Sequence, residues 1–336
     1  MAIVFADGGD LYGNNAANIA RKWTSTVSLA IGVGRFGGGA IRLDSSNSAV
    51  TKSIAALSTF GMGFVINVLA ANIGGTTQIL QLTDSGTAQL HLDLNASQQL
   101  VLVRGVTTLA TSAVSLAQNT FYHLELKTTI NSSTGSFELR LNGSITPIIN
   151  VTGANTQSTG NATVNDIRFV TSGSVPDYDL DDVVIWDTTG SSPQNNFMGD
   201  IRIETIRPTS AGTNTGWTPN TGSNYDCVDD INPDDDTTYV ATSVSTTKDT
   251  YTMSNLTSTI GTIFGAQSNL LCKKTDAGTA DIKSVVRTGG SNFSSSAMGP
   301  STSYSYVTDI RTLNPNTGVA WTGAEIDASE WGSEFS

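Results

Sequence analysis

The first candidate catalytic residues lie near the C-terminus, where three acidic side chains occur within six positions. Glu325, Asp327 and Glu330 belong to the run EIDASE. Two carboxylates about 5 Å apart can act as nucleophile and acid/base in glycoside hydrolysis, provided that they share one face. Thr322 and Glu325 form a capping-box pattern, which predicts a helix that continues to about Trp331. Helical geometry places Glu325 and Asp327 on different faces, so we interpret this spacing as a coincidence.

A second acidic pattern precedes the apolar run that ends at Trp186. Asp177, Asp179 and Asp181 alternate, so on a strand all three would face one side. Their carboxylates could supply several of the oxygen ligands that Ca²⁺ requires. The favoured interpretation is a solvated sandwich edge, where charge discourages pairing with another strand. No other metal or cofactor is expected.

A third acidic stretch, Asp226–Asp236, contains six aspartates. So many carboxylates repel one another unless a cation or a basic partner meets them. The order of the residues does not fit the EF-hand pattern. A solvated loop or a subunit contact is therefore favoured over a metal site.

The histidines and cysteines suggest no catalytic or metal centre. His91 and His123 are the only histidines, both lie within strand patterns, and no Ser/His/Asp set can be proposed. Cys227 and Cys272 lack the count and spacing of a metal site. We expect both thiols to be free and buried, with a disulfide as the alternative. No catalytic residue is assigned.

The elements that must position these residues are strands, and the clearest signal is a hairpin over Phe121–Ser144. Apolar and polar side chains alternate in Phe121–Lys127 and again in Phe137–Asn142, which predicts two strands with one buried face each. The intervening residues Asn131–Gly135 are typical of a turn. The apolar face of this hairpin needs a second sheet to cover it, so the sequence predicts a β-sandwich.

The same kind of pattern recurs along the chain. About ten short strands at even spacing predict a jelly-roll-like sandwich over residues 1–187. Residues 188–198 are small and polar and are expected to be a linker. Residues 199–336 predict a second, smaller β-sandwich with one short helix near the C-terminus. The predicted fold class is therefore all-β with two domains.

The low charge content, the net negative charge and the apolar stretches limit the classes of partner that the chain can bind and the compartment in which it is made. Only 14% of the 336 residues are charged, and the formal net charge is −12. That charge argues against nucleic acid or an anionic membrane as the main partner. The most apolar stretch, Phe60–Gly75, is too short to span a membrane. The N-terminal residues lack the basic and apolar regions of a signal peptide, so we expect synthesis in a cytoplasm.

Several motifs resemble known families. The hairpin FYHLELKTTINSSTGSFELRLNG and the later run DYDLDDVVIWD resemble laminin-G-like, concanavalin A-like jelly rolls, which often hold Ca²⁺ at the rim. Followed by GDIRIETIRPTSAGTNTGWTPNTGSNYDCVDD, they look like virion proteins of tailed phages and prophages. EIDASE also matches the E-x-D-x-x-E signature of one retaining glycoside hydrolase family with a jelly-roll fold, but it lies at the chain end and outside the first module.

The resemblance implies a non-enzymatic, surface-exposed structural protein of a tailed-phage virion, of tail-fibre or adhesin type with contact to a host glycan. Capsid decoration is the alternative, and a jelly-roll glycan depolymerase that uses Glu325 and Glu330 is a weaker one. The expected partners are other copies of the chain, as a homotrimer, and other virion proteins. Neither nucleic acid nor membrane insertion is expected, and the expected location is the virion.

Overall fold

The computed structural model describes residues 3–70, 75–172, 177–257 and 261–336, nearly all of them in strands, turns and loops. The chain divides into two compact units, Met1–Ile203 and Glu204–Ser336, which we call unit 1 and unit 2. Unit 1 therefore continues past the predicted linker of residues 188–198. Within the described residues, no helix has the length and apolar character needed to cross a membrane.

The described residues of unit 1 form fifteen strands and two short 3₁₀ helices, Asp10–Tyr12 and Ala16–Arg21. The strands are β1 (Ile3–Asp7), β2 (Ser25–Val27), β3 (Leu29–Val33), β4 (Gly39–Leu43), β5 (Ala49–Leu57), β6 (Thr59–Val68), β7 (Thr77–Asp84), β8 (Thr87–Leu94), β9 (Gln99–Arg104), β10 (Thr107–Ser115), β11 (Phe121–Thr129), β12 (Gly135–Leu141), β13 (Ile149–Ala154), β14 (Val164–Val170) and β15 (Tyr178–Trp186).

These strands form two antiparallel sheets. The larger sheet has the order β13-β12-β11-β6-β15-β4-β3, with β1 also paired to β15. The smaller sheet has the order β10-β9-β8-β7-β14-β5-β2. Phe64 on β6 meets Phe169 on β14 edge to face, with ring centroids 5.0 Å apart, and the Tyr178 hydroxyl donates to the carbonyl of Ile79, 2.9 Å away. Contacts of this kind join the two sheets over a common apolar core.

The predicted hairpin is confirmed as the antiparallel pair β11 and β12. Leu126 on β11 lies opposite Leu139 on β12, and Lys127 lies opposite Glu138. Leu126 and Leu139 are fully buried, which fits an apolar face turned toward the smaller sheet. In the turn, the side chain of Asn131 accepts hydrogen bonds from the two backbone N–H groups that follow it at i+2 and i+3, which closes the hairpin.

Unit 2 is also sandwich-like. Its strands are β16 (Pro208–Thr215), β17 (Thr218–Pro219), β18 (Val240–Ala241), β19 (Lys248–Met253), β20 (Ala266–Cys272), β21 (Ile282–Thr288), β22 (Ser291–Ser294), β23 (Ser305–Arg311) and β24 (Glu330–Phe335). Five of them form a sheet in the order β16-β19-β24-β21-β22, while β17 pairs with β18 and β20 with β23. A 3₁₀ helix covers Tyr225–Cys227. Both cysteines are free, as predicted, but only Cys227 is fully buried, whereas Cys272 is partly exposed.

The C-terminal helix is shorter than predicted. Helix α1 covers Gly323–Asp327 and begins with the predicted capping box of Thr322 and Glu325. The chain then becomes β24, which pairs with strands on both sides. Trp331 lies in that strand with its ring centroid 5.6 Å from that of Trp321, so burial of the indole in the unit 2 core outweighs continuation of the helix.

Candidate functional site

Polar side chains cover the face of the larger sheet that points away from the sandwich core. We call it the outer face. On β11, His123, Glu125 and Lys127 alternate with the core residues Leu124 and Leu126, so the first three point outward. Exposed polar groups would be ordinary on such a face. His123 is fully buried, however, and Glu125 is only 1% exposed, so something covers the centre of the sheet.

The cover is the segment of residues 196–203 at the end of unit 1, which we call the strap. The backbone N–H groups of Met198 and Gly199 donate to the carboxylate of Glu125, at 2.5 and 3.1 Å. Farther along, the N–H group of Ile203 donates to Asp182 Oδ1 at 2.7 Å. Two buried carboxylates thus accept hydrogen bonds from three backbone N–H groups of the strap, whose described residues do not belong to any strand.

Arg35, in the loop between β3 and β4, joins the strap to β15. Its guanidinium donates to Asp200 Oδ1 at 2.5 Å, to the carbonyl of Ile201 at 2.5 Å and to Asp182 Oδ2 at 2.9 Å. Its backbone N–H group donates to Asp181 Oδ2 at 2.8 Å. The ladder between β15 and β6 shifts register just after Asp181, and this bulge turns two successive carboxylates toward the same arginine.

Burial sets the protonation of these groups. It raises the pKa of Glu125 to about 7, against the lowering effect of the Met198 and Gly199 amides. Burial also raises the pKa of Asp181 to about 7, and the neighbouring charge of Asp182 adds to this effect. The pKa of Asp182 itself rises to about 6, again mainly through burial. The outer face therefore changes charge within the neutral range.

His123 is the most isolated polar group of the cluster. Burial lowers its pKa to about 4, so the imidazole is neutral at ordinary pH. Neither of its ring nitrogens has a hydrogen-bond partner among the described residues, and Nδ1 lies 4.0 Å from Asp200 Oδ1. Gly63 on β6 makes room for the ring, because a Cβ atom there would lie 3.0 Å from His123 Nε2. Unpartnered buried nitrogens are uncommon and call for an explanation.

Beside the strap, the outer face opens into a cleft of about 410 Å³ over β11, β12 and β13. The cleft is lined by Lys127, Thr129, Ser136, Glu138, Arg140, Asn150, Val151, Thr152, Asn196 and Phe197. The Arg140 guanidinium carbon lies 3.6 Å from the ring centroid of Phe197, and Lys127 Nζ donates to Asn196 Oδ1 at 3.4 Å. The first two residues of the strap therefore form one wall of the cleft.

The three aspartates considered as a weak Ca²⁺ candidate do not share one contact. The favoured solvated edge is wrong for Asp179 and Asp181, which are buried on β15 between β6 and β4. Asp179 accepts two hydrogen bonds from Arg42, at 2.8 and 3.1 Å, while Asp181 bonds the backbone of Arg35 and of its own neighbour. Burial and the charge of Asp44 raise the pKa of Asp177. In the part of the chain that the structure describes, no group of acidic, histidine or cysteine residues is arranged to hold a metal ion. The Ca²⁺ site stays a prediction, as does the homotrimer.

The C-terminal carboxylates have separate partners. Glu325 bonds Thr322 within the capping box, and Asp327 Oδ1 accepts the N–H group of Leu256 at 2.9 Å. Glu330 lies on β24 and bonds Thr213. The EIDASE residues therefore serve local structure and do not converge as a pair of catalytic acids.

The acidic loop of unit 2 is likewise engaged by its own surroundings. Lys273 lies 2.6 Å from an Asp236 oxygen, and the Thr238 hydroxyl bonds both Asp230 and Asp234. These contacts fit the solvated loop favoured from the sequence.

Sequence reasoning missed the residues that matter most on the outer face. The alternation on the hairpin gives a signal for Glu125, Lys127 and Arg140, because it marks them as one polar face. No local pattern connects Arg35 with Asp200, which are far apart in the chain and meet only through the strand order of the folded sheet.

Comparisons with known proteins give structural neighbours but no sequence relatives. No family model and no curated protein matches the chain. A PL-14 alginate lyase from Aplysia kurodai is 8% identical over 55% of this chain and 98% of its own, with a TM-score of 0.44. A sialidase is 15% identical, with a TM-score of 0.38, and the match covers 49% of this chain but only 16% of the sialidase. A carbohydrate-binding module from Bacillus subtilis is 17% identical over 48% of this chain and 94% of its own, with a TM-score of 0.33.

These neighbours correct two predictions. The sequence predicted a structural protein of a tailed-phage virion and excluded enzymatic activity, whereas the neighbours are sialidases, alginate lyases and a carbohydrate-binding module. The error has a physical origin. The hairpin and the LDDVVIWD strand follow the pairing and core packing of a jelly roll, so they indicate the fold without the particle on which it occurs. The sandwich itself is confirmed.

Proposed function

We propose that unit 1 binds a glycan in the cleft over β11, β12 and β13. The observation that carries this proposal is the lining of the cleft, where hydroxyl, amide and charged groups surround a single aromatic ring. A volume of about 410 Å³ lies within the range of small-ligand sites.

The lining matches what a sugar ring presents. Each sugar hydroxyl donates and accepts hydrogen bonds, and the cleft offers both kinds of partner through Asn150, Asn196 and Lys127. The Phe197 ring supplies an apolar surface for the C–H face of a sugar, and Arg140 stacked on that ring holds it in place. Lys127 and Arg140 oppose the single acid Glu138, so the cleft is positive in a chain of net charge −12.

The test is a binding screen of the full chain against an array of neutral and acidic oligosaccharides, followed by calorimetric titration with the best binder. We expect Phe197→Ala and Arg140→Gln each to weaken binding at least about tenfold, the cost of one well-placed contact. The matched controls are Ile145→Ala, which removes an apolar side chain that is 83% exposed, and Arg104→Gln. Equal losses in the control variants, or no binder on the array, would contradict the proposal.

Cleavage of the bound glycan is a second candidate function, and the protonation of Glu125 favours it. A carboxyl with a pKa of about 7 is suited to general acid or base catalysis near neutral pH. Glu125 lies opposite Arg140, which lines the cleft. The strap must move before a substrate can reach Glu125, and the pKa stays near 7 only if the substrate then buries the carboxyl in its place. If unit 1 cleaves its ligand, Glu125→Gln should slow product formation about 10²-fold or more while binding persists. Cleavage at the wild-type rate by this variant would exclude Glu125 as the acid.

A further inference from the structure

Asp200 of the strap places a carboxylate where a ligand carboxylate could sit. We propose that the strap masks a second subsite on the outer face, in which Arg35 binds the carboxylate of an acidic sugar whose position Asp200 now occupies. This inference rests on the proposed glycan binding and extends it to a ligand class, the uronic acids and other carboxylated sugars.

The contact between Asp200 and Arg35 has the features of a bound ligand. The Arg35 side chain is 12% exposed, whereas that of Asp200 is 43% exposed. The acid therefore reaches from the surface toward a largely buried guanidinium, and it joins Arg35 at 2.5 Å. Arginine is the side chain best suited to carboxylates, because its planar fork donates in a fixed geometry. Exchange of one carboxylate for another keeps this pairing intact.

Other polar groups under the strap lack partners that a sugar could supply. Both ring nitrogens of His123 are buried without hydrogen bonds. His123 is fully buried and lies 4.0 Å from Asp200, so a sugar held by Arg35 would come near it. A neutral imidazole can donate and accept, as a sugar hydroxyl can. Gly63 adds no side chain on this part of the face.

The strap is attached mainly by exchangeable contacts. Its anchors are hydrogen bonds to Glu125, Asp182 and Arg35, and Ile201 is its buried apolar side chain. Its first residues, Asn196 and Phe197, already line the cleft, so the cleft and Asp200 adjoin the same short segment of chain. Phe197, Met198 and Ile203 are also partly buried, so a ligand that displaces the strap must replace these anchors and offset the exposure of some apolar surface.

The charges around Arg35 decide the conditions of the test. Glu125, Asp181, Asp182 and the more distant Asp10 would oppose a second negative charge. Burial raises the pKa values of Glu125 and Asp181 to about 7 and of Asp182 to about 6, so much of that charge is absent at about pH 6 as long as the strap, or a ligand in its place, keeps these groups buried. His123, with a pKa near 4, stays neutral there, and Arg140 adds a positive charge beside Glu125.

The experiment compares binding of oligogalacturonate and its methyl ester by the full chain at about pH 6. Asp200→Asn keeps the shape of the strap but removes its carboxylate, and we expect it to bind the acid at least about tenfold more tightly than the wild type. The neutral ester should show no such gain. Asp187→Asn is the control, because it also removes one carboxylate from unit 1, and Asp187 bonds only its neighbour Thr189 among the contacts described. Arg35→Gln should abolish the gain of Asp200→Asn.

The outcomes separate this inference from the proposed function. Equal affinities of Asp200→Asn and Asp187→Asn would overturn the masked subsite, whereas loss of wild-type binding in Phe197→Ala would still support the cleft. A gain in Asp200→Asn, together with unchanged binding in Phe197→Ala, would support the subsite and contradict the cleft. If Asp200→Asn does not fold, hydrogen exchange of the wild type tests whether the ligand displaces the strap. Oligogalacturonate should speed exchange at Met198, Gly199 and Ile203, and unchanged exchange with the ligand bound would overturn the inference.

Discussion

Replacement of Glu125 by glutamine should remove a pH dependence from the stability of unit 1. In the folded chain burial raises the pKa of Glu125 from its ordinary 4.5 to about 7. Between these two values the folded state holds a proton that the unfolded state has lost. The contribution of Glu125 to stability is therefore present below about pH 4.5 and is lost as the pH rises through about 7.

The magnitude follows from the same two values. Each unit of pKa corresponds to about 1.4 kcal/mol, so a change from 4.5 to about 7 amounts to about 3 kcal/mol in the free energy of unfolding. Glutamine cannot titrate, although its carbonyl can still accept the N–H group of Met198. Any constant cost of the substitution cancels when the difference between wild type and variant is followed with pH. Asp181 and Asp182 titrate in both proteins, so their contributions also cancel to first order.

The assay is denaturant unfolding of the full chain from about pH 4.5 to about pH 8, read by hydrogen exchange in peptides from β11, which lie in unit 1. We expect the stability of the wild type relative to Glu125→Gln to fall by about 3 kcal/mol across this range. A difference that stays flat would show that the carboxyl titrates normally and that the strap does not bury it. A difference that rises with pH would show that the Met198 and Gly199 amides outweigh burial.

Three further predictions concern packing, capping and thiol chemistry. Gly61→Ala should destabilise unit 1 by about 3 kcal/mol, since its Cβ would lie 2.2 Å from the Trp186 ring, whereas Gly160→Ala meets nothing within 4 Å and should change unfolding by far less. Thr322→Ala should cost unit 2 about 1 kcal/mol through loss of the capping box, with Thr317→Ala as the control, and equal thermal midpoints would contradict this. Burial raises the pKa of the Cys272 thiol to about 11. Near pH 8 its alkylation in the native chain should therefore proceed at roughly a thousandth of the rate of a fully ionised thiol, and rapid modification would contradict the raised pKa.

The sequence predicts the sandwich because the strongest patterns are local. The alternation in Phe121–Lys127 and Phe137–Asn142 determines which face is buried and, with the Asn131 turn, which residues pair. Strands with weaker alternation of apolar and polar residues are not predicted in this way. β5 and β10 are rich in Ala, Ser and Thr, and much of each is exposed, so they lack a continuous apolar face that would mark them.

The candidate site was harder to predict than the fold. Asp179 and Asp181 were correctly placed on one strand, but their arginine partners, Arg42 and Arg35, come from the other end of unit 1. The order of strands β4, β15 and β6 in the sheet brings them together, and no single-sequence pattern encodes that order. The first residues of the strap, 196–198, were expected to belong to a linker, because their composition gives no sign that buried carboxylates bind the backbone amides of the strap.

Glycan binding by unit 1 is tested most directly by the position of a bound oligosaccharide in a co-crystal of the full chain. Glycan binding over β11, β12 and β13 predicts sugar density against the Phe197 ring, within hydrogen-bond distance of Asn150 and Arg140. Density elsewhere on the molecule, with the cleft empty at saturating ligand, would contradict it.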